Sequence, residues 1–191
     1  MALTDRVQGI ILRPRQEWQV IDTEAATVSG LYQSYIAPLA AIAPVARFIG
    51  VAIFGVAVPF VGAVRPSIFN TLIQQIITYV LTLAFVYVFA LIIDNLAPTF
   101  GGTRSMIQAF KVAAYSATAS WLAGIFALIP LLSPLSILGL YSLYLLYLGL
   151  PVLMKVPRER ALSYTIAVIV VAIVLSFLVG LIVGSLDVFS V

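Results

Sequence analysis

Neither cysteine nor histidine occurs in the 191 residues. Their absence removes disulfides, thiol nucleophiles, haem ligation and most zinc or copper sites. Charge is also scarce, with Asp, Glu, Lys and Arg at 9% of the chain, where soluble domains carry about a quarter. Ten basic residues against seven acidic ones leave a net charge of +3, too small and too scattered for the dense basic face that nucleic acid demands. The stretch Met1–Gly9 lacks the basic start, apolar core and small-residue cleavage site of a signal peptide. The first hydrophobic span is therefore expected to direct insertion itself.

What fills the chain instead is apolar. Hydrophobic residues make up 63% and the mean hydropathy is +1.16, which reads as an all-α, polytopic integral membrane protein. The length suits about five or six spans of ~20 residues.

The spans can be counted around the uncharged stretch Val112–Met154. As one helix it would run about 64 Å, roughly twice the ~30 Å hydrocarbon core. It must fold back, and Ile129-Pro130-Leu131-Leu132-Ser133-Pro134 marks the place, because both prolines remove amide donors and disfavour helix just before them. The reading that follows is a five-helix transmembrane bundle, residues 31–191, with spans near 31–54, 72–93, 112–128, 135–154 and 162–186. Phe48–Val64 is a rival first span, and Pro59, Arg65 and Pro66 fall in the expected outer connection. Residues 1–30 read as a short cytoplasmic interfacial segment, with Pro14 opening a helix and Trp18 as the headgroup-level anchor.

Several polar groups fall inside or beside the spans: Arg47, Gln74, Gln75, Asp94, Lys111 and Tyr115. Ionisable groups in spans are functional candidates by default, so these six form the candidate ligand site. Arg47 either snorkels to the outer headgroups or points into the bundle. Asp94 and Lys111 enter from one side and are placed to form an ion pair. Tyr141, Tyr144 and Tyr147 make a stripe read as packing. Gly180 and Gly184 form a GxxxG that favours close helix packing, with a second copy of the chain as a candidate partner.

Five spans place Arg6, Arg13, Arg15, Arg104, Lys155, Arg158 and Arg160 on one side, with Lys111 close by, and leave Arg65 and Arg47 for the other. The positive-inside rule then puts the N-terminus in the cytoplasm and the C-terminus outside.

Several stretches together resemble the Yip family, the Ypt/Rab-interacting membrane proteins, and its small bacterial inner-membrane branch most of all. They are Pro14-Arg-Gln-Glu-Trp18-Gln-Val-Ile21-Asp-Thr-Glu24, Tyr32–Tyr35, Ala40–Val45 with Phe48-Ile-Gly50, and Ala113–Trp121. Further on come the Ile129-Pro130 turn, Tyr141–Pro151, and Lys155–Arg160 leading into Ala161–Tyr164. The resemblance implies five transmembrane helices, a cytoplasmic N-terminus and, for the bacterial branch, the inner membrane. For eukaryotic members it also implies Rab GTPase binding and vesicle traffic. That function is not carried over, because the polar N-terminal region is short here and Ala119 stands where relatives often place proline.

An enzyme is not expected, because no nucleophile and base, carboxylate pair or metal set can be assembled, and no cofactor is implied. Two readings remain: an organising protein that binds membrane lipids and other membrane proteins, or a transporter or lipid-handling protein. The second requires Arg47, Asp94 and Lys111 to converge on one cavity. The first lets each be satisfied separately.

Overall fold

The computed structural model of the chain describes residues 2–58 and 62–188. Two short helices lead, α1 (Leu3–Leu12) and α2 (Pro14–Thr23). Arg13 breaks the helix between them, and Pro14 occupies the first turn of α2, where its missing N–H leaves no bond unmade.

The first span, Val28–Phe54, is built in pieces. They are α3 (Val28–Leu31), a π turn over Tyr32–Ile36, α4 (Ala37–Ala40) and α5 (Ile42–Phe54). Thr27 opens the span, its hydroxyl accepting the Gly30 N–H at 3.0 Å. The π turn ends just before Pro38, which cannot donate to the carbonyl four residues back, so the chain takes a wider turn there. A small antiparallel hairpin follows, β1 (Val56–Val58) against β2 (Gly62–Val64), with Val56 opposite Val64. This hairpin is an addition to the all-α expectation. Pro59, placed in the outer connection from the sequence, lies outside the described residues.

The second span is α6 (Ile68–Leu96), prolonged by a 3-10 turn over Ala97–Phe100. Then come α7 (Met106–Ser116), α8 (Thr118–Ala123) and a 3-10 turn over Gly124–Leu128. The chain reverses at Ile129-Pro130 into a long 3-10 run, Pro130–Leu140, which passes into α9 (Tyr141–Leu153). The last helix is α10 (Arg158–Val188).

Among the described residues, four stretches are long and apolar enough to cross a bilayer: Val28–Phe54, Ile68–Phe100, Pro130–Leu153 and Arg158–Leu181. The segment expected at 112–128 is not one of them, because the helix is interrupted at Ala117 and tightens after Ala123. The Thr118 hydroxyl donates to the Tyr115 carbonyl at 2.7 Å across that interruption. The segment is nevertheless central, since every residue from Ala109 through Ser116 is buried.

Contacts fix the direction of each segment. The Tyr32 and Tyr79 hydroxyls donate to Leu83 and Ala37 carbonyls, so α6 runs back along the first span. Tyr35 meets Thr118, and Ala43 lies against Gly124, so 106–128 runs parallel to the first span. The Thr103 N–H donates to the Met154 carbonyl while the Ser120 hydroxyl donates to that of Gly139, so 130–153 runs back along 106–128. The Tyr164 hydroxyl donates to Ile93, which sets α10 against α6. Successive segments therefore alternate in direction. The α2 end, the 97–105 loop and the 154–158 loop gather at one end. The chain folds as a helical, polytopic membrane protein.

Gly124 is where the first span and the third segment touch, since a Cβ there would lie 2.4 Å from the Ala43 Cβ. Gly180 has nothing within 4 Å of the same position. Gly124→Leu is expected to cost about 1–3 kcal/mol by overpacking, and Gly180→Leu to be near neutral. Thermal unfolding of both variants in mild detergent reads the difference.

Candidate functional site

The polar residues that come together are mostly N-terminal. Arg6 on α1 is 5% exposed and pairs with Glu17 on α2 and with Glu24 just after it. Its guanidinium carbon lies 5.5 Å from the centre of the Tyr115 ring, a cation–π placement. Burial opposes the charge on Arg6, but the hydrogen bond and attraction of Glu24, with help from Glu17, hold its pKa above the ordinary arginine value. Tyr115 is packed edge-on by Trp18 and by Tyr35, at ring separations of 6.3 and 4.6 Å. The Tyr35 hydroxyl shares a 2.7 Å hydrogen bond with Thr118.

Lys111, 3% exposed, lies beside this group. Its ammonium donates to the carbonyls of Ile21 at 2.8 Å and Glu24 at 2.5 Å. Those carbonyls end α2, where the helix dipole is negative and the last acceptors lack intrahelical donors, so the lysine caps the helix across 90 residues of sequence. Nearer the loops, Lys155 pairs with Asp22 at 2.5 Å and Gln108 donates to the Asp22 backbone and side chain. Between α1 and the first span lies a cavity of about 620 Å³ whose wall includes Arg6, Glu24, Thr27, Ser34, Tyr35 and Tyr115.

Of the six polar residues singled out in the sequence, only Lys111 and Tyr115 belong to this cluster. Arg47 is exposed and stands between Ala43 and Gly50, near the Leu128 turn at the far end. Gln74 and Gln75 lie early in α6, towards that same far end; Gln75 is buried and its amide donates to Gln74 at 3.4 Å. Asp94 is near the loop end of α6, with a buried oxygen that finds no donor among the described residues. The expected Asp94–Lys111 ion pair does not form, because the α2 carbonyls occupy the ammonium.

Trp18 also differs from expectation. In place of a half-wet anchor, it is 0% exposed and seated against Gly149, where a Cβ would meet its ring at 2.6 Å. The charged neighbours explain this, since Arg6 and Glu17 satisfy one another and let α2 pack its tryptophan inward. Gly180 and Gly184 make no packing contact within the described chain. Tyr141 does pack, its hydroxyl donating to the Ile11 carbonyl at 3.1 Å.

Arg6, Glu17, Glu24 and Tyr35 were not legible as site residues. One signal was present: Glu17, Ile21 and Glu24 follow helical spacing, which places two acids on the same side as a buried isoleucine. Among the described residues, no group of three side chains suited to a metal comes together. The arrangement is suited to holding α1 and α2 in one orientation.

Removing one partner of a buried pair leaves a charge unmet, so Glu17→Ala is expected to lose about 3 kcal/mol. Replacing the whole set, Arg6→Met with Glu17→Leu and Glu24→Met, should cost far less. Lys111→Met removes the cap on α2 and is expected to cost about 1–3 kcal/mol. Unfolding followed by tryptophan fluorescence tests all three.

Residues 9–180 match the Yip1 domain family. The chain is similar to the inner membrane protein YohC of Escherichia coli strain K12, with 31% identity over 171 residues, covering 87% of this chain and 88% of the relative. The YohC protein of Escherichia coli O6:H1, strain CFT073, gives the same 31% identity and the same coverage. No solved structure matches significantly. The alternating helical segments and this match along most of the sequence lead to one conclusion: the chain belongs to the Yip1 domain family.

Proposed function

We propose that this protein is a non-enzymatic organising factor of the bacterial inner membrane, which crosses the bilayer five times and associates with lipids and with other membrane proteins, including a second copy of itself. The membrane assignment draws on the name of the E. coli relative, an inner membrane protein. The five crossings draw on the alternating directions, with the broken segment 106–128 taken as the third. The Arg104, Lys155, Arg158 and Arg160 loops then face the cytoplasm with α1 and α2, and α10 ends outside.

One observation carries the organising role. Arg47, Asp94 and Lys111 stand apart, Lys111 is occupied by backbone carbonyls, and Arg6 is occupied by two carboxylates. A transport path would bring such groups to one hydrated route. Lipid handling is the second reading, favoured by the cavity of about 620 Å³ beside Arg6 and Glu24.

Reporter fusions at the two termini are expected to report opposite compartments; the same compartment for both would refute five crossings. Native mass spectrometry from mild detergent should show retained lipid or a stable protein partner. Saturable solute uptake by reconstituted vesicles would refute the organising role.

A further inference from the structure

The flank that carries α1 and α2 differs from the rest of the bundle in how far polar surface extends. Three contacts run along α9 like rungs: Asp22 with Lys155, Trp18 with Gly149, and the Ile11 carbonyl with the Tyr141 hydroxyl. Tyr141 begins α9 and Leu153 ends it, so the turn between α1 and α2 lies roughly 20 Å from the loops along the helix axis. The outward side of this helical hairpin is polar there, with Gln8, Arg13, Arg15, Gln16 and Gln19 exposed. Arg13 and Arg15 have no carboxylate partner among the described residues, because the neighbouring acid, Glu17, is turned in to Arg6. Leu12 at the tip is 74% exposed. Beside the hairpin, Tyr144 and Tyr147 are exposed, the kind of ring that settles at a membrane interface.

The opposite flank is apolar at the same height. Leu162, Ile166 and Val170 on α10 are exposed, as are Tyr87 and Val88 on α6. Ile166 lies eight residues beyond the start of α10, roughly 12 Å from the loop end, about as far along as Gln16. A level hydrocarbon boundary cannot suit both flanks. Drawn at the loops, it sinks two unpaired arginines into acyl chains; drawn at the hairpin tip, it leaves the α10 aliphatics in water.

We propose that the boundary is stepped, and that anionic phospholipid headgroups of the cytoplasmic leaflet descend along the α1–α2 hairpin, their phosphates held by Arg13 and Arg15. Tyr144 and Tyr147 mark the lowered interface, and Leu12 reaches the acyl chains beneath it. The leaflet is thereby thinned on one side of the protein only, a deformation that bilayers accommodate at modest cost. The inference rests on the five-span reading, with the loops on the cytoplasmic face.

The absence of cysteine makes the test clean, since single labels need no background removed. Nitroxides at Gln16→Cys and Ile166→Cys are compared in vesicles of phosphatidylcholine mixed with phosphatidylglycerol. The stepped boundary predicts that a water-soluble relaxant reaches the first and dissolved oxygen the second. Two labels in like surroundings, both wet or both in lipid, overturn it. An impermeant thiol reagent that reaches Gln16→Cys only from outside intact cells would instead refute the five-span orientation. For the lipid itself, Arg13→Gln with Arg15→Gln is expected to lower retained phosphatidylglycerol about tenfold, with thermal stability unchanged and retention restored by lysine at both positions. Unchanged retention, or displacement of the lipid by inorganic phosphate, overturns the assignment.

Discussion

The guanidinium of Arg6 is the point on which the N-terminal third of the structure turns. It holds Glu17 within α2 and Glu24 beyond it, and it lies over the ring of Tyr115 in the buried third segment. Buried ion pairs contribute little net stability against a well-packed apolar substitute. Their value here is directional, since only one placement of α1 and α2 brings two carboxylates, a cation and a ring together. With that placement set, Trp18 enters the space beside Gly149 and Lys111 meets the open carbonyls of α2.

The third segment acts as the axis around which the other elements are arranged. Alanine and serine make up half of its buried run from Ala109 through Ser116, and these small side chains let α6, α9 and the first span approach from different sides. Its interruption at Ala117 shortens the regular helix, while Thr118, Ala119, Trp121 and Ala123 beyond it stay buried. The two segments that flank it in sequence, α6 and 130–153, both run opposite to it.

Much of this architecture was legible in the amino acids, and the reasons differ by feature. The reversal at Ile129-Pro130 followed from a length that no bilayer accommodates and from two prolines that deny helix. The ends of helices were less accurate. α6 begins at Ile68 and the third segment at Met106, in each case ahead of the expected span. The polar site was the least legible. Lys111 and Tyr115 stood out, but their partners Ile21 and Arg6 lie about 90 and 109 residues earlier, in a segment read as interfacial. Trp18 was assigned to the interface because tryptophan favours it, and packing against a glycine 131 positions later outweighed that preference. No local pattern encodes such pairings.

The run Pro130–Leu140 carries a mechanical implication. Wound as a 3-10 helix, its eleven residues span about 22 Å, where an α-helix of the same count would span about 16 Å. Wound this way, the run sets the corner at Pro130 several ångströms farther from α9 than an α-helix of the same count would, while its Gly139 carbonyl still meets the Ser120 hydroxyl. The reach of that corner is thus set by winding as much as by residue count.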